Sequence, residues 1–297
     1  MKQNTPIITG IAALLLLGTA CSATPKVYPF TDPSNQSGWV LNETMSDEFE
    51  GATLDENKWL IQGRNGEFRS RFVGRTYSTA NYVAGWQFSP DNVRLEEGML
   101  KITTRHEPDY DWAPFSNPGR DNVDLCEFTT GGISTKQTFT QGYMEIRCKL
   151  PDAKQTGAFW TTGGGAELDV FEAIGKHSKR ENLMWSSIHD WYFKGHKNVA
   201  WTDTKPLPFK FADGFHTYAA EWDEETLKIY ADGQLIHKTT KEHVESVKGD
   251  HNSDRWPMVT GHHIWVDSEI FPWWGVPDPA NLPADFEVEY VRVWQKK

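Results

Sequence analysis

Three carboxylates lie within six residues of one strand-like segment: Glu167, Asp169 and Glu172. The segment, residues 166–175, follows a triple glycine at positions 163–165. On a regular strand Glu167 and Asp169 share one face, whereas Glu172 has the opposite parity and would point into a core. Because an unpaired carboxylate in a core is very costly, a regular strand does not suit this sequence.

One extra residue in the strand, a β-bulge at Val170 and Phe171, restores the parity. Leu168 and Val170 then face the core, and all three acids face one cleft. The two glutamates become equivalent to positions i and i+4, about 13 Å apart along the backbone at ~3.3 Å per residue. Since each side chain can lean inward, the gap is compatible with the ~5–5.5 Å carboxyl separation of a retaining glycosidase.

The charges of these acids suggest separate roles. Three acids this close cannot all ionise freely, so one of them keeps its proton. A protonated glutamate can donate to a glycosidic oxygen while an ionised glutamate attacks the anomeric carbon, and Asp169 can hydrogen-bond the nucleophile. The alternatives are an exposed acidic edge strand or a calcium site, but the triple glycine and the aromatic surroundings favour the floor of a cleft.

The composition restricts the class of protein. The 297 residues carry 30 Lys+Arg against 41 Asp+Glu, a net charge of −11, which argues against a general nucleic-acid-binding protein. Aromatic residues make up 13% of the chain, a density that suits both a β-rich core and contacts with sugar faces. The 24 Gly and 16 Pro exclude coiled coils and long helical bundles.

The strand signals predict an all-β domain over residues 39–297. Residues 143–150 alternate strictly between polar and apolar side chains, as in a strand with one face in a core. Asp232-Gly233 between two strand-like runs indicates a two-residue hairpin, and residues 286–294 resemble a closing strand. Helical periodicity is confined to one short turn around 241–247. Many short strands with glycine-rich turns predict a sandwich of two antiparallel sheets.

The N-terminus predicts export. Lys2 precedes an apolar run at 7–18 that is too short to span the ~30 Å bilayer core and fits a secretory signal. Small residues before Cys21 resemble a bacterial lipobox, so residues 1–20 are predicted to be a signal peptide and Cys21 the lipidated first residue. Ordinary cleavage nearby is the alternative. Residues 21–38 are predicted to be a tether, which makes the protein a cell-envelope lipoprotein that contacts the membrane only through its anchor.

Two further cysteines, Cys126 and Cys148, fall on segments interpreted as neighbouring antiparallel strands. In an exported protein they can form a disulfide, but two buried free thiols fit equally well. The sequence leaves the choice open.

The order of the acids resembles the bulged E-x-D-x-x-E signature of glycoside hydrolase family 16. Other segments follow in the order of that family: MSDEFEG at 45–51, TGGI at 130–133, GYMEIR at 142–147, EW at 221–222 and VRVW at 291–294. The resemblance implies a β-jelly-roll sandwich with a concave sugar-binding cleft. It also implies endo-hydrolysis with retention, with Glu167 as nucleophile and Glu172 as acid/base.

Within the family, DEF at 47–49 and SSIH at 186–189 look most like the agarase, porphyranase and κ-carrageenase branch. Four arginines fall within twelve positions and could bind sulfate through paired hydrogen bonds: Arg64, Arg69, Arg71 and Arg75. A solvated loop is the alternative for this cluster.

We therefore predict an endo-β-galactanase acting on agarose- or porphyran-type polysaccharide. The alternatives are a 1,3-β-glucanase, an endo-acting enzyme on host glycans, and a non-catalytic carbohydrate-binding lipoprotein.

Aromatic side chains are predicted to stack on sugars. Trp160 precedes the triple glycine, while His189 and Trp191 follow the next expected strand, which would bring them beside the acids; a structural role is the alternative for His189. Further candidate platforms are Trp86, Trp112, Trp265, Trp273 and Trp274.

No Asp-x-Asp-x-Asp-Gly loop is present, so no catalytic metal or other cofactor is predicted, although acidic loops are compatible with a structural calcium ion. No sequence feature indicates oligomerisation, and a monomer is predicted.

Overall fold

The structure, a computed structural model, describes residues 26–64, 85–111, 126–192, 198–246, 255–271 and 273–296. The predicted signal peptide, the lipidation of Cys21 and the sulfate-binding role of Arg71 lie outside these residues and stay predictions. No helix within the described ranges is both long and apolar enough to cross a membrane.

Nearly all of the regular structure is β-strand. In chain order the described strands are β1 Trp39–Leu41, β2 Trp59–Ile61, β3 Gly85–Phe88, β4 Val93–Glu96, β5 Met99–His106, β6 Cys126–Thr130, β7 Gly132–Thr135, β8 Gly142–Lys149, β9 Thr156–Gly163, β10 Ala166–Ile174, β11 Leu183–Asp190, β12 Val199–Pro206, β13 His216–Trp222, β14 Thr226–Ala231, β15 Gln234–Thr240, β16 His263–Asp267 and β17 Ala284–Lys296. A short helix, α1 Lys241–Ser246, follows β15, as the sequence predicts.

These strands form two sheets. The ten-stranded sheet has the order β15-β14-β13-β8-β17-β5-β6-β3, with β1 also on β17 and β4 on β5, and the seven-stranded sheet has the order β12-β11-β10-β9-β16-β7-β2. Pairing among the described strands is antiparallel except between β3 and β6. The predicted all-β sandwich is confirmed, and it is a jelly roll.

The core lies between the two sheets and follows the predicted alternation. Met144 and Ile146 of β8 are completely buried against Leu168 and Val170 of β10 and other members of one large cluster. The hairpin between β14 and β15 pairs Ala231 with Gln234, so two residues form the loop. Those residues, Asp232 and Gly233, have φ of 44° and 74°, the left-handed values that a tight hairpin turn requires.

The N-terminal segment covers the other face of the ten-stranded sheet. The Phe30 amide donates to Glu145 Oε2 at 3.0 Å, and Trp294 Nε1 donates to the Val27 carbonyl at 3.0 Å. Val27 also packs with Tyr143 and Trp294 in a small apolar cluster. Val27 and Phe30, which fall within the predicted tether, therefore contact the sheet, and the tether itself stays a prediction. Large aromatic side chains on the outer face gain stability when this segment shields them from water.

The two cysteine-bearing strands are not neighbours, so that interpretation of the sequence is wrong. β17 and β5 lie between β8, which carries Cys148, and β6, which begins at Cys126. Three inter-strand steps of about 4.8 Å separate the backbones by ~14 Å, whereas a disulfide needs Cα atoms within about 7 Å. Cys148 is a buried free thiol, and burial raises its pKa well above the ordinary value.

A buried histidine between the sheets links stability to pH. His262 is completely buried, and its Nδ1 lies 2.8 Å from Thr161 Oγ1. Burial, and secondarily the neighbouring His263, lowers the pKa of His262 from 6.5 to about 4. Between these values the unfolded chain binds a proton that the folded chain does not, so stability falls as the pH falls through this window.

We expect the free energy of unfolding to decrease by ~3 kcal/mol between pH 6.5 and pH 4 because of this one group. His262→Asn keeps a polar partner for Thr161 and removes the titration, so it should flatten this part of the profile. Urea unfolding at several pH values measures the slope, with exposed His243→Asn as the control. Equal slopes in wild type and His262→Asn would contradict the assignment.

Candidate active site

The predicted bulge in β10 is present. The pairing of β10 with β9 and with β11 shifts register after Asp169. Val170 and Phe171 are consecutive residues, yet both side chains are completely buried in the core. The strand therefore turns two successive side chains inward, and Glu172 returns to the outer face.

All three acids lie on the face of the seven-stranded sheet that points away from the core. Directly paired residues on antiparallel strands place their side chains on the same face. Glu167 pairs with His189, Asp169 with Trp160, and Glu172 with Trp185. Asp169, Glu172 and Trp160 line one pocket. The three acids therefore share one face of the sheet, as predicted, and two of them line this pocket.

Hydrogen-bond donors surround Glu167. The residue is only 7% exposed, and Trp191 Nε1 donates to its Oε2 at 3.1 Å. His189 Nε2 lies 3.9 Å from Glu167 Oε1 and 3.3 Å from Asp169 Oδ2. The His189 and Trp191 rings stack with centroids 5.6 Å apart. The expected proximity of these two residues to the acids is confirmed, and their contacts stabilise an ionised carboxylate at Glu167.

His189 is the basic side chain of this group. Burial lowers the pKa of His189, but the hydrogen bond with Asp169 and the charges of Asp169 and Glu167 outweigh burial and raise it. The three side chains could also present ligands to a metal ion, since their donor atoms lie within 4.8 Å of one another.

Trp160 forms a fixed wall of the pocket. Its ring stacks on Trp265 with centroids 4.9 Å apart, and its Nε1 donates to Asp267 Oδ2 at 3.0 Å. The side chain is 8% exposed, so it presents only a small surface to a sugar. Its position next to Asp169 and Glu172 agrees with the sequence prediction.

Trp86 does not belong to the site, and its prediction as a sugar platform is wrong. The side chain is completely buried with Phe88, Phe128 and Ile270 in a separate apolar cluster. A ring without exposed surface cannot stack on a polysaccharide. A large apolar side chain on a short strand gains more from burial than from exposure, and sequence alone did not separate the two outcomes.

Sequence reasoning missed two buried acids, Asp267 and Glu269, which line the same pocket as Glu172. They are 1% and 3% exposed. Asp267 is the last residue of β16 and Glu269 follows two positions later, about a hundred positions along the chain from β10. The available signal was the spacing D-x-E near the end of a strand. This spacing points to the site only once β16 is known to pair with β9, the neighbour of β10.

Comparison with known proteins agrees with this geometry. A family model described as the GH16 domain of beta-porphyranases A–D matches residues 39–296. The chain belongs to glycoside hydrolase family 16. It is therefore an endo-acting glycosidase whose substrate is a polysaccharide.

The relatives have different substrates. The chain is 26% identical to beta-porphyranase B of Zobellia galactanivorans, covering 81% of this chain and 82% of that one. It is 25% identical to glucan endo-1,3-beta-glucosidase A1 of Niallia circulans, covering 90% of this chain but only 39% of that longer enzyme. A solved structure described with endo-acting O-glycanases of the human gut microbiota that initiate mucin breakdown has a TM-score of 0.68 and 25% identity, covering 88% and 92% of the two chains.

The effect of His189 on the neighbouring carboxylates should be measurable in the pH dependence of activity. We expect His189→Gln, a neutral variant that still reaches Asp169, to move the acidic limb of the kcat/KM profile to higher pH by about one unit, because the carboxylates lose a neighbouring positive charge. The control is His216→Asn. His216, on the ten-stranded sheet, has its Nδ1 2.7 Å from Asp232 Oδ2, so this variant alters a different histidine–aspartate pair. An unshifted acidic limb in His189→Gln would show that His189 has no electrostatic effect on the acids.

Proposed function

We propose that this enzyme is a retaining endo-β-galactanase that hydrolyses algal galactan of the agarose or porphyran type. The observation that carries the reaction is the bulge in β10, which places Glu167 and Glu172 on one face beside Asp169. Two carboxylates in different surroundings can divide nucleophilic attack and proton transfer between them.

The surroundings assign the roles. Glu167 receives a hydrogen bond from Trp191 and lies near His189, whose pKa is raised, so we assign it as the ionised nucleophile. Glu172 shares its pocket with three other acids, Asp169, Asp267 and Glu269. Each further negative charge in that pocket is more costly than the last, which favours a proton on the half-buried Glu172.

The reaction then follows in two displacements. Glu172 gives its proton to the glycosidic oxygen while a Glu167 oxygen attacks the anomeric carbon, so the bond to the leaving sugar breaks and a glycosyl-enzyme ester forms. Glu172 next takes a proton from water, and the hydroxide attacks the same carbon and releases Glu167. Two inversions leave the anomeric configuration unchanged.

The galactan assignment is supported by the porphyranase family model, which spans almost the whole described domain. The second candidate is a 1,3-β-glucanase, because the similarity to a curated glucanase covers 90% of the chain at nearly the same identity. The structural likeness to a mucin-related O-glycanase makes host glycans a third substrate to include in any test. A non-catalytic binder has no need for two glutamates in such different surroundings.

A substrate panel separates these candidates. We expect the enzyme to release a series of oligosaccharides from agarose or porphyran. Long products early in the reaction would mark endo-cleavage. We expect no oligosaccharides to be released from laminarin or mucin O-glycans. κ-Carrageenan completes the panel, and product sizes are measured by chromatography and mass spectrometry. Cleavage of laminarin alone would refute the galactan proposal and favour the glucanase.

Azide rescue tests the roles of the two glutamates. We expect Glu167→Ala and Glu172→Ala each to lower kcat on polysaccharide by at least ~10²–10⁴-fold, because each variant loses one displacement partner. With an aryl galactan-oligosaccharide and azide, Glu172→Ala should form a β-glycosyl azide and Glu167→Ala an α-glycosyl azide, as NMR of the products can show. The same anomer from both variants, or normal turnover in either, would overturn the assignment.

A further inference from the structure

The turn that follows β11 carries Trp191, whose indole donates to Glu167. β11 ends at Asp190, and Trp191 and Tyr192 form the turn. The Trp191 amide donates to the Gly165 carbonyl at 2.7 Å, which holds the turn against the start of β10. Trp191 is 49% exposed, so packing covers only part of its ring. The position of its backbone therefore decides whether Nε1 reaches the carboxylate.

Asp190 fixes this turn from inside the protein. The residue is 3% exposed, and its Oδ1 accepts a hydrogen bond from the Tyr192 amide at 3.1 Å. An aspartate that accepts the amide two residues later closes an Asx turn, which restricts the residue between them. That residue is Trp191. Because a buried carboxylate is costly without a charged partner, Asp190 needs a cation to stay in this position.

Arg255 is that cation, although it lies 65 positions further along the chain. Its Nε donates to Asp190 Oδ2 at 2.9 Å, and a terminal nitrogen donates to Oδ1. Two parallel bonds between a guanidinium and a carboxylate fix the orientation of both groups. The next residue, Trp256, is buried in the main core cluster. The arginine therefore connects the turn to the core of the domain.

The Tyr192 ring completes the group. The Arg255 guanidinium carbon lies 5.7 Å from the centre of this ring, within the range of a cation–π contact. On its other side the ring occupies the space that a side chain at Gly165 would fill. Gly165 also has a φ of 78°, which favours glycine. The last glycine of the triple glycine thus lets the turn pack closely against β10.

We propose that Arg255 and Asp190 are positioning residues for the nucleophile and act through Trp191. The ion pair fixes the turn, the turn places Nε1 of Trp191, and Nε1 holds Oε2 of Glu167 at 3.1 Å. The other oxygen, Oε1, then forms the ester bond while the glycosidic oxygen leaves with the proton of Glu172. The inference rests on the proposed role of Glu167. A displacement of about 1 Å in such a group can lower a rate by ~10²-fold.

A double-mutant cycle tests whether the ion pair acts through the indole. It compares Arg255→Met, Trp191→Phe, which keeps a ring without the N–H group, and the double variant, on the polysaccharide that the wild type cleaves. We expect each single variant to lower kcat by about 10- to 100-fold, and Arg255→Met to change KM by less than about threefold. The double variant should lose less than about twofold beyond Trp191→Phe, because the same contact is lost only once.

A second readout does not depend on activity. The indole N–H of Trp191 gives one resonance in a ¹⁵N–¹H correlation spectrum, which its absence from Trp191→Phe identifies. We expect this resonance to move upfield in Arg255→Met, because an N–H group bonded to a carboxylate resonates downfield. Arg255→Lys keeps the charge without the paired geometry, so its kcat and its resonance should lie between those of Arg255→Met and wild type.

The matched control is Arg292→Met. Arg292 also forms two hydrogen bonds with one carboxylate, at 2.7 Å each to Glu48, and its guanidinium lies over the Tyr290 ring. This pair lies on the ten-stranded sheet, away from the acids. The control should keep the kcat of wild type and the wild-type Trp191 resonance. Thermal unfolding checks that each variant folds, and Asp190→Asn repeats the test should Arg255→Met unfold.

The outcomes separate this inference from the function on which it rests. Additive losses in the cycle, or an unmoved Trp191 resonance in the Arg255 and Asp190 variants, would overturn the proposal. A loss confined to KM would mean that Arg255 contacts the substrate directly, and it would also refute a positioning role. These results would leave the proposed galactanase intact. Normal turnover in Glu167→Ala would instead refute the assignment of the nucleophile.

Discussion

The site depends on one extra residue in β10. The bulge sends Val170 and Phe171 into the core together, and both are completely buried there. Those two side chains hold the kink in place, because a regular strand would expose an apolar residue and bury the carboxylate of Glu172. The same packing that stabilises the sandwich therefore sets the direction of the Glu167, Asp169 and Glu172 side chains.

The bulge also divides the cleft into two electrostatic environments. On one side, Trp191 Nε1 donates a hydrogen bond to Glu167, and His189 lies beside the same carboxylate. On the other, Glu172 faces a pocket that contains Asp267 and Glu269. Asp169 stands between the two sides, close to His189. Two chemically identical carboxyl groups can thus favour opposite protonation states within one strand.

The ten-stranded sheet contributes to this arrangement from behind. Its outer face is covered by the N-terminal segment, whose Phe30 amide binds Glu145. Glu145 also accepts hydrogen bonds from Tyr290 at 3.0 Å and Tyr143 at 3.3 Å. Burial raises the pKa of Glu145, and these donors only partly offset it. The segment and its polar anchor pack on the sheet opposite the acids, so they support the sandwich without obstructing the cleft.

The sequence by itself determined the features that depend on near neighbours in the chain. Strand parity required a bulge at Val170 and Phe171, alternation placed Met144 and Ile146 in the core, and Asp232-Gly233 specified a hairpin. Such features are local because the direction of a side chain and the shape of a turn follow from a few adjacent residues.

Only the tertiary structure decided which distant segments meet. It buried Trp86, separated Cys148 from the strand of Cys126, and packed residues 26–38 against the ten-stranded sheet. It also brought Asp267 and Glu269 beside Glu172, and Arg180 beside Trp274. These contacts depend on the order of strands in each sheet, which is set by the packing of the whole domain and not by any local pattern of residues.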